Sequence, residues 1–168
     1  MLEKPDLQDE KICACLREEF GIDAAQLAFL PLGADRNTAV YRVVARNGTP
    51  YFLKLRGGIF DEISVALPRF LSDHGVKQII APLLTQTGQL RAELDAFKAI
   101  LYPFVEGRDG YEVELSEQQW GEFGAVLKKI HTLAVPRTIT DAIRRETYAP
   151  RWRETVRVFL ERKEDKGL

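Results

Sequence analysis

The sequence predicts an α+β protein in two parts, a strand-rich part followed by a purely helical one. Three observations carry this. Five stretches of strand character lie between Leu27 and Val105, with one helix inserted after the third. The composition shifts at Glu106-Gly107-Arg108-Asp109-Gly110, a polar, glycine-flanked connector. Beyond it only helical periodicity remains, and the regular strand–helix alternation of a parallel doubly wound sheet is absent.

The first element reads as a helix over Leu7 to Phe20. Asp6 suits its N-cap, Ile12, Cys15, Leu16 and Phe20 share a face, and Gly21 supplies the stop. Leu27-Ala28-Phe29-Leu30 starts the strands, and a polar turn from Pro31 to Thr38 leads to a second strand, Val40 to Ala45. Asn47-Gly48 is a hairpin signal because both residues tolerate positive φ, and Tyr51 to Leu55 returns as the third strand. A helical stretch follows from Asp61 to His74, closed by Gly75. Pro68 lacks an N–H, so this helix either kinks there or restarts with Pro68 in its first turn. Leu83-Leu84 and Leu90, with Thr87-Gly88 between them, read as strand and turn, and Ala96 to Val105 as a further buried strand. After the connector, Ser116 and Gln119 have the spacing of a capping box, with Leu115 and Trp120 placed for a hydrophobic staple. Trp120, Phe123, Leu127 and Ile130 line one face of that helix, and Pro136 lies beyond its end. A last helix starts at Pro150 and reaches Lys163, with Trp152, Val156, Phe159 and Leu160 on its apolar face. Asp165-Lys166-Gly167-Leu168 reads as a frayed tail.

Composition removes several function classes. A net charge of −1 gives no electrostatic footprint for nucleic acid. No apolar run approaches the roughly 20 residues that span a bilayer. Met1-Leu2-Glu3-Lys4-Pro5-Asp6 has no signal-peptide core. The expectation is a cytoplasmic protein with neither a membrane nor a nucleic-acid partner. Cys13 and Cys15 point to nearly opposite sides of one helix and cannot bridge. With His74 and His131 the only histidines, no zinc site is expected and no metal ligand is assigned.

Lys54 is the central candidate. On Tyr51-Phe52-Leu53-Lys54-Leu55, Phe52 and Lys54 share one face. A lysine there either grips phosphates from inside a pocket, as a compact point charge, or is a solvated residue on an edge strand. Glu62 opens the next helix, where a carboxylate also suits the helix dipole. If that helix packs beside the sheet, Glu62 can pair with Lys54, with Glu3, Asp61 and Glu93 as rival acids. The turn Gly33 to Thr38 joins the first two strands, and its backbone amides can cover phosphates, although it holds a single glycine. Tyr102-Pro103-Phe104-Val105-Glu106-Gly107 is either a backbone edge that reads a purine or a plain linker.

Taken in this order, these pieces resemble the protein-kinase-like fold as used by aminoglycoside phosphotransferases, over Leu27 to His131 with a weaker extension to Leu160. The resemblance implies an amino lobe over 1–103, a five-stranded antiparallel sheet plus a helix that binds nucleotide. It implies a hinge and an incomplete helical carboxy lobe over 104–168. The family's phosphate-covering loop falls on Gly33 to Thr38, with Gly33, Asp35 and Asn37 as its site residues, its strand lysine on Lys54, its helix glutamate on Glu62, and its hinge on Tyr102 to Val105, with Pro103, Phe104 and Val105 as its site residues. Phe123 to His131 resembles the family's early helix of the second lobe, with His131 a packing or hydrogen-bonding residue and not a base. Tyr102 to Gly107 and Tyr148-Ala149-Pro150-Arg151-Trp152-Arg153 most resemble the spectinomycin phosphotransferase branch. The resemblance also implies cofactors. Lys54 would hold the α/β-phosphates of ATP or GTP, magnesium would bridge the phosphates, and the γ-phosphoryl group would pass to a hydroxyl of an antibiotic-like substrate.

That family needs a catalytic loop of the form His-Gly-Asp-x-x-x-x-Asn. No His-Gly-Asp occurs in this sequence: His74-Gly75 is followed by Val76, and the only asparagines are Asn37 and Asn47. No catalytic residue is therefore assigned. The expectation is a nucleotide-binding portion that is inactive alone, since a positioned base contributes about 10²–10⁴-fold in rate. The alternative is a kinase-like interaction or dimerisation module without nucleotide affinity. The apolar faces of the two carboxy-terminal helices are expected to collapse on each other or to join two chains as a homodimer.

Overall fold

The computed structural model describes residues 3–32, 35–108, 110, 112–145 and 149–164, with the backbone alone described over 160–164. Gly33, Tyr148 and the tail from Asp165 lie outside the described residues.

Helix α1 spans Asp9–Phe20. It starts two residues later than the sequence suggests, because Leu7 N–H closes a turn on the Pro5 carbonyl at 2.8 Å. Gln8 is therefore the N-cap in place of Asp6, and it makes no side-chain cap bond. Asp9 and Glu10 put negative charge on the first turn instead, where the helix dipole favours it. At the other end Gly21 adopts φ 69°. Its N–H reaches Arg17 O at 3.1 Å, and Ile22 N–H reaches Leu16 O at 2.9 Å, a Schellman stop that needs the left-handed glycine.

Five strands follow: β1 (Ala24–Leu30), β2 (Thr38–Ala45), β3 (Pro50–Gly57), β4 (Ala92–Leu94) and β5 (Phe97–Pro103). They form one antiparallel sheet in the order β1-β2-β3-β5-β4. The β2–β3 hairpin turns at Asn47-Gly48 as expected, but only Gly48 takes positive φ, at 84°. Gly48 N–H bonds Ala45 O at 2.8 Å, and Asn47 Oδ1 accepts Thr49 N–H at 3.0 Å. The fourth strand is not at Leu83-Leu84. Leu83 N–H does donate to Leu101 O at 2.7 Å, but the chain then folds into a loop in which Thr85 N–H meets Gln89 O at 2.8 Å. The strand forms later, and Asp95 at φ 50° turns it back into β5.

Alternation assigns the two faces of the sheet. Tyr41, Val43, Leu53, Leu55 and Leu101 point to one side and are fully buried in one core with Ile12 and Leu16 of α1. Arg42, Phe52, Lys54 and Tyr102 therefore occupy the other side. Helix α2 runs Ile63–Asp73 with Pro68 inside it, so it does not restart there. Asp61 begins it by accepting Ile63 N–H at 3.2 Å.

Helix α3 spans Glu117–Thr132. Its capping box is complete, with Gln119 N–H to Ser116 Oγ at 3.3 Å and Ser116 N–H to Gln119 Oε1 at 2.9 Å. A short α4 (Arg137–Thr140) lies against α2, and α5 covers Pro150–Glu164. The expected collapse of α3 on α5 does not occur. Trp120 and Phe123 are 58% and 52% exposed, and Trp152 and Phe159 are 61% and 60% exposed. The chain between the two helices folds against α2 as α4. The Lys129 ammonium of α3 also donates to the Gly75 carbonyl at the end of α2, so α3 meets the first lobe by a polar edge. No described helix is long and apolar enough to cross a membrane.

Candidate functional site

The free face of the sheet meets the segment after β5 around a cavity of about 450 Å³. Lys54 and Phe52 of β3 supply its floor, and Tyr102, Pro103, Phe104 and Val105 supply one wall. Leu30 at the end of β1, Leu32 and Ile80 complete it. Sheet register explains the floor. Lys54 sits between Val40 and Ile100, and Phe52 sits between Arg42 and Tyr102, so the side chains of that row share a face. Phe52 and Tyr102 meet edge to face at 6.4 Å between centroids. Burial pushes the Tyr102 phenol above its ordinary value, so it lines the cavity as a neutral group.

Lys54 is the one charged side chain among those lining this cavity. Among the described residues it makes no ion pair. The expected partnership with Glu62 is not formed. Glu62 instead accepts Arg91 Nε at 2.7 Å and Arg91 Nη2 at 2.6 Å, and it lines a second, polar cavity of about 520 Å³ with Arg91 and Glu93. The physical reason is competition. Arg91 presents two donors to one carboxylate oxygen and rests its guanidinium over the Phe60 ring at 5.4 Å, a match the single ammonium of Lys54 does not equal. Hydrogen bonding from Lys98, with Arg91 adding to it, holds the Glu93 carboxyl below its usual range. The Glu62 bond in turn raises Arg91.

In the turn between β1 and β2, Asp35 Oδ1 accepts Asn37 N–H at 2.9 Å, and Asp35 Oδ2 accepts the Thr38 hydroxyl at 3.2 Å. Arg56 fastens this turn from β3, donating to Asp35 and, at 3.0 Å, to Thr38 Oγ1. Asp35 and Asn37 are exposed and do not line the cavity. Pro103, Phe104 and Val105 do line it. Among the described residues, the Phe104 N–H makes one long backbone bond, to Pro50 O at 3.4 Å. Among the described residues, neither the N–H nor the C=O of Val105 bonds another backbone group.

The structure thus gathers Lys54, Pro103, Phe104 and Val105, and sets Glu62, Asp35 and Asn37 apart from them. Arg56 escaped the sequence reading although the signal was present, since a two-residue step from Lys54 reaches it, whereas Tyr102, read as the first residue of the hinge segment, does line the cavity. Ile80, in an irregular stretch, carried no such signal. Among the described residues, no three His, Cys, Asp or Glu side chains converge as a metal site would require.

The chain is similar to a spectinomycin phosphotransferase, APH(9)-Ia, solved in complex with ADP and spectinomycin, with 37% identity and a TM-score of 0.82 over 94% of this chain and 48% of that one. The AMP-bound complex of that phosphotransferase matches with 35% identity and a TM-score of 0.76, over 93% of this chain and 47% of that one. The amicoumacin kinase hAmiN, in complex with AMP-PNP, Ca2+ and Ami, shares the fold at 19% identity and a TM-score of 0.57, over 84% of this chain and 45% of that one. This chain spans about half the length of these solved structures. No curated protein gives a match. The model of the phosphotransferase enzyme family, APH, matches residues 28–167, and with the five-stranded kinase-like sheet in place the chain belongs to that family.

Proposed function

We propose that this chain is the nucleotide-binding portion of a spectinomycin- or aminoglycoside-type phosphotransferase, inactive by itself. Residues 1–103 act as the nucleotide-binding lobe, and 104–168 supply the hinge and the beginning of the helical lobe. One observation carries the reading: a lone ammonium, Lys54, in an apolar cavity walled by Tyr102 to Val105. A flat aromatic base suits the Phe52, Tyr102 and Leu30 surfaces, and the Val105 backbone groups, which among the described residues bond no other backbone group, suit its polar edge. Leu32, Ile80 and Val105 stand exposed at the mouth, where apolar surface marks a ligand groove. Lys54 then faces the phosphates of ATP or GTP. Magnesium would arrive with the nucleotide and would neutralise charge on the phosphates. The hydroxyl acceptor is an antibiotic-like molecule, a reading supported by the similar phosphotransferase solved in complex with spectinomycin. A cytoplasmic setting, where nucleotide is plentiful, fits this reading.

The test is an equilibrium titration with magnesium–ATP and magnesium–GTP, comparing the natural chain with Lys54→Ala. Losing a charge-assisted contact worth about 1.5–3 kcal/mol weakens binding by roughly tenfold or more. Equal affinities for the two proteins count against the proposal. A second reading, a non-catalytic association module, is favoured by the exposed apolar faces of α3 and α5. A stable homodimer with no thermal shift from any nucleotide supports that reading instead.

A further inference from the structure

Resting on the nucleotide reading, we infer that Arg42 is the positioning residue that holds the hinge against the sheet and so sets the shape of the base-binding wall. Arg42 lies in the middle of β2, opposite Phe52 of the cavity floor. Its side chain leaves the sheet on the cavity's face and reaches the hinge twice. The guanidinium sits 5.0 Å from the centre of the Phe104 ring, and Nη2 lies 3.2 Å from Glu106 Oε1. Phe104 and Val105, the two residues so bracketed, line the cavity. Among the described residues the backbone alone holds this segment weakly, through the 3.4 Å bond from Phe104 N–H to Pro50 O at the start of β3.

The geometry selects arginine. A planar guanidinium can lie on an aromatic face and still donate sideways to a carboxylate, whereas an ammonium does one or the other. Each contact is modest because Glu106 is largely exposed. Acting together on a two-residue wall, they convert into ligand affinity by preorganisation, since a wall already in place costs nothing to order on binding.

The experiment measures two quantities on the full chain: amide hydrogen exchange at 104–106 without ligand, and the dissociation constant for ADP. In Arg42→Ala, exchange at Phe104 and Val105 quickens while the melting temperature and the exchange of β2 stay as in the natural chain. ADP binding weakens by about threefold to tenfold. Arg42→Lys restores less than half of the loss. Glu106→Gln weakens ADP binding alone but adds little on top of Arg42→Ala, as expected for two groups in one linkage. ADP binding by the natural chain that is unchanged in Arg42→Ala overturns this inference and leaves the nucleotide reading standing. Failure of the natural chain to bind ADP overturns the nucleotide reading and this inference with it.

Discussion

Among the described residues Lys54 makes no ion pair, and it lines a cavity whose other walls are apolar, a placement that suits a ligand better than it suits the fold. Lys54→Met should therefore leave the melting temperature unchanged or slightly raised while nucleotide affinity falls. A large loss of stability would assign the residue to the fold instead of to a ligand. Tyr41 is the opposite kind of residue. It is fully buried, it meets Phe29 edge to face at 5.5 Å, and its hydroxyl finds no hydrogen-bond partner among the described residues. Burial pushes its phenol up to about 12. An unsatisfied buried hydroxyl costs about 1–3 kcal/mol, so Tyr41→Phe is expected to hold or raise the denaturant midpoint, where most core changes lower it. Neither cysteine is activated as a nucleophile. Burial pushes Cys15 to about 11 and also raises Cys13, where Asp9 and Glu10 add to the effect. Both thiols should react with an alkylating reagent at neutral pH more slowly than a free cysteine, and Cys15 more slowly than Cys13.

At the scale of elements, the legible parts were those specified by neighbours in sequence. The Gly21 stop, the Gly48 hairpin and the Ser116–Gln119 box each need only a few consecutive residues, and each formed. Ser116→Ala is expected to cost about 1 kcal/mol in α3, read as faster amide exchange in its first turn and not as a shift of the whole melt, because α3 buries no side chain in the core. What escaped the sequence was pairing at a distance. Rival acids for Lys54 were foreseen, but Glu62 was drawn off by a rival cation, Arg91, 29 positions away. β4 is only Ala92–Leu94, too short to show a period of two. The Glu62–Arg91–Glu93–Lys98 network also makes a pH prediction. Glu93 titrates below its ordinary value of 4.5, so its contribution is present above that pH and is lost as pH falls through the lower folded value. Since Glu93 is exposed, the effect is small and screened. Glu93→Gln should blunt the acid-induced fall in melting temperature at low salt, and the difference from the natural chain should vanish near about 1 M salt.

The whole molecule is uneven. Its first lobe has a closed core between α1 and the sheet, while its helical part leaves Trp120, Phe123, Leu127, Trp152, Val156 and Phe159 in solvent. Burying such side chains is worth about 1.5–3 kcal/mol each, a free energy that would favour association of two chains through these faces. We expect a concentration-dependent mass in light scattering and strong binding of an apolar dye, both reduced by Trp120→Glu with Phe123→Glu. A monomeric mass with little dye binding would contradict this. Family membership and the half-length match place the first lobe within a phosphotransferase fold, and the cavity around Lys54 is where its nucleotide role is tested. The most direct measurement is a crystal structure of the chain with ADP. Adenine should lie between Leu30, Phe52 and Tyr102, its edge on the Val105 backbone, with a phosphate within hydrogen-bond reach of Lys54 Nζ. ADP bound elsewhere, or an empty cavity at saturating ADP, would contradict it.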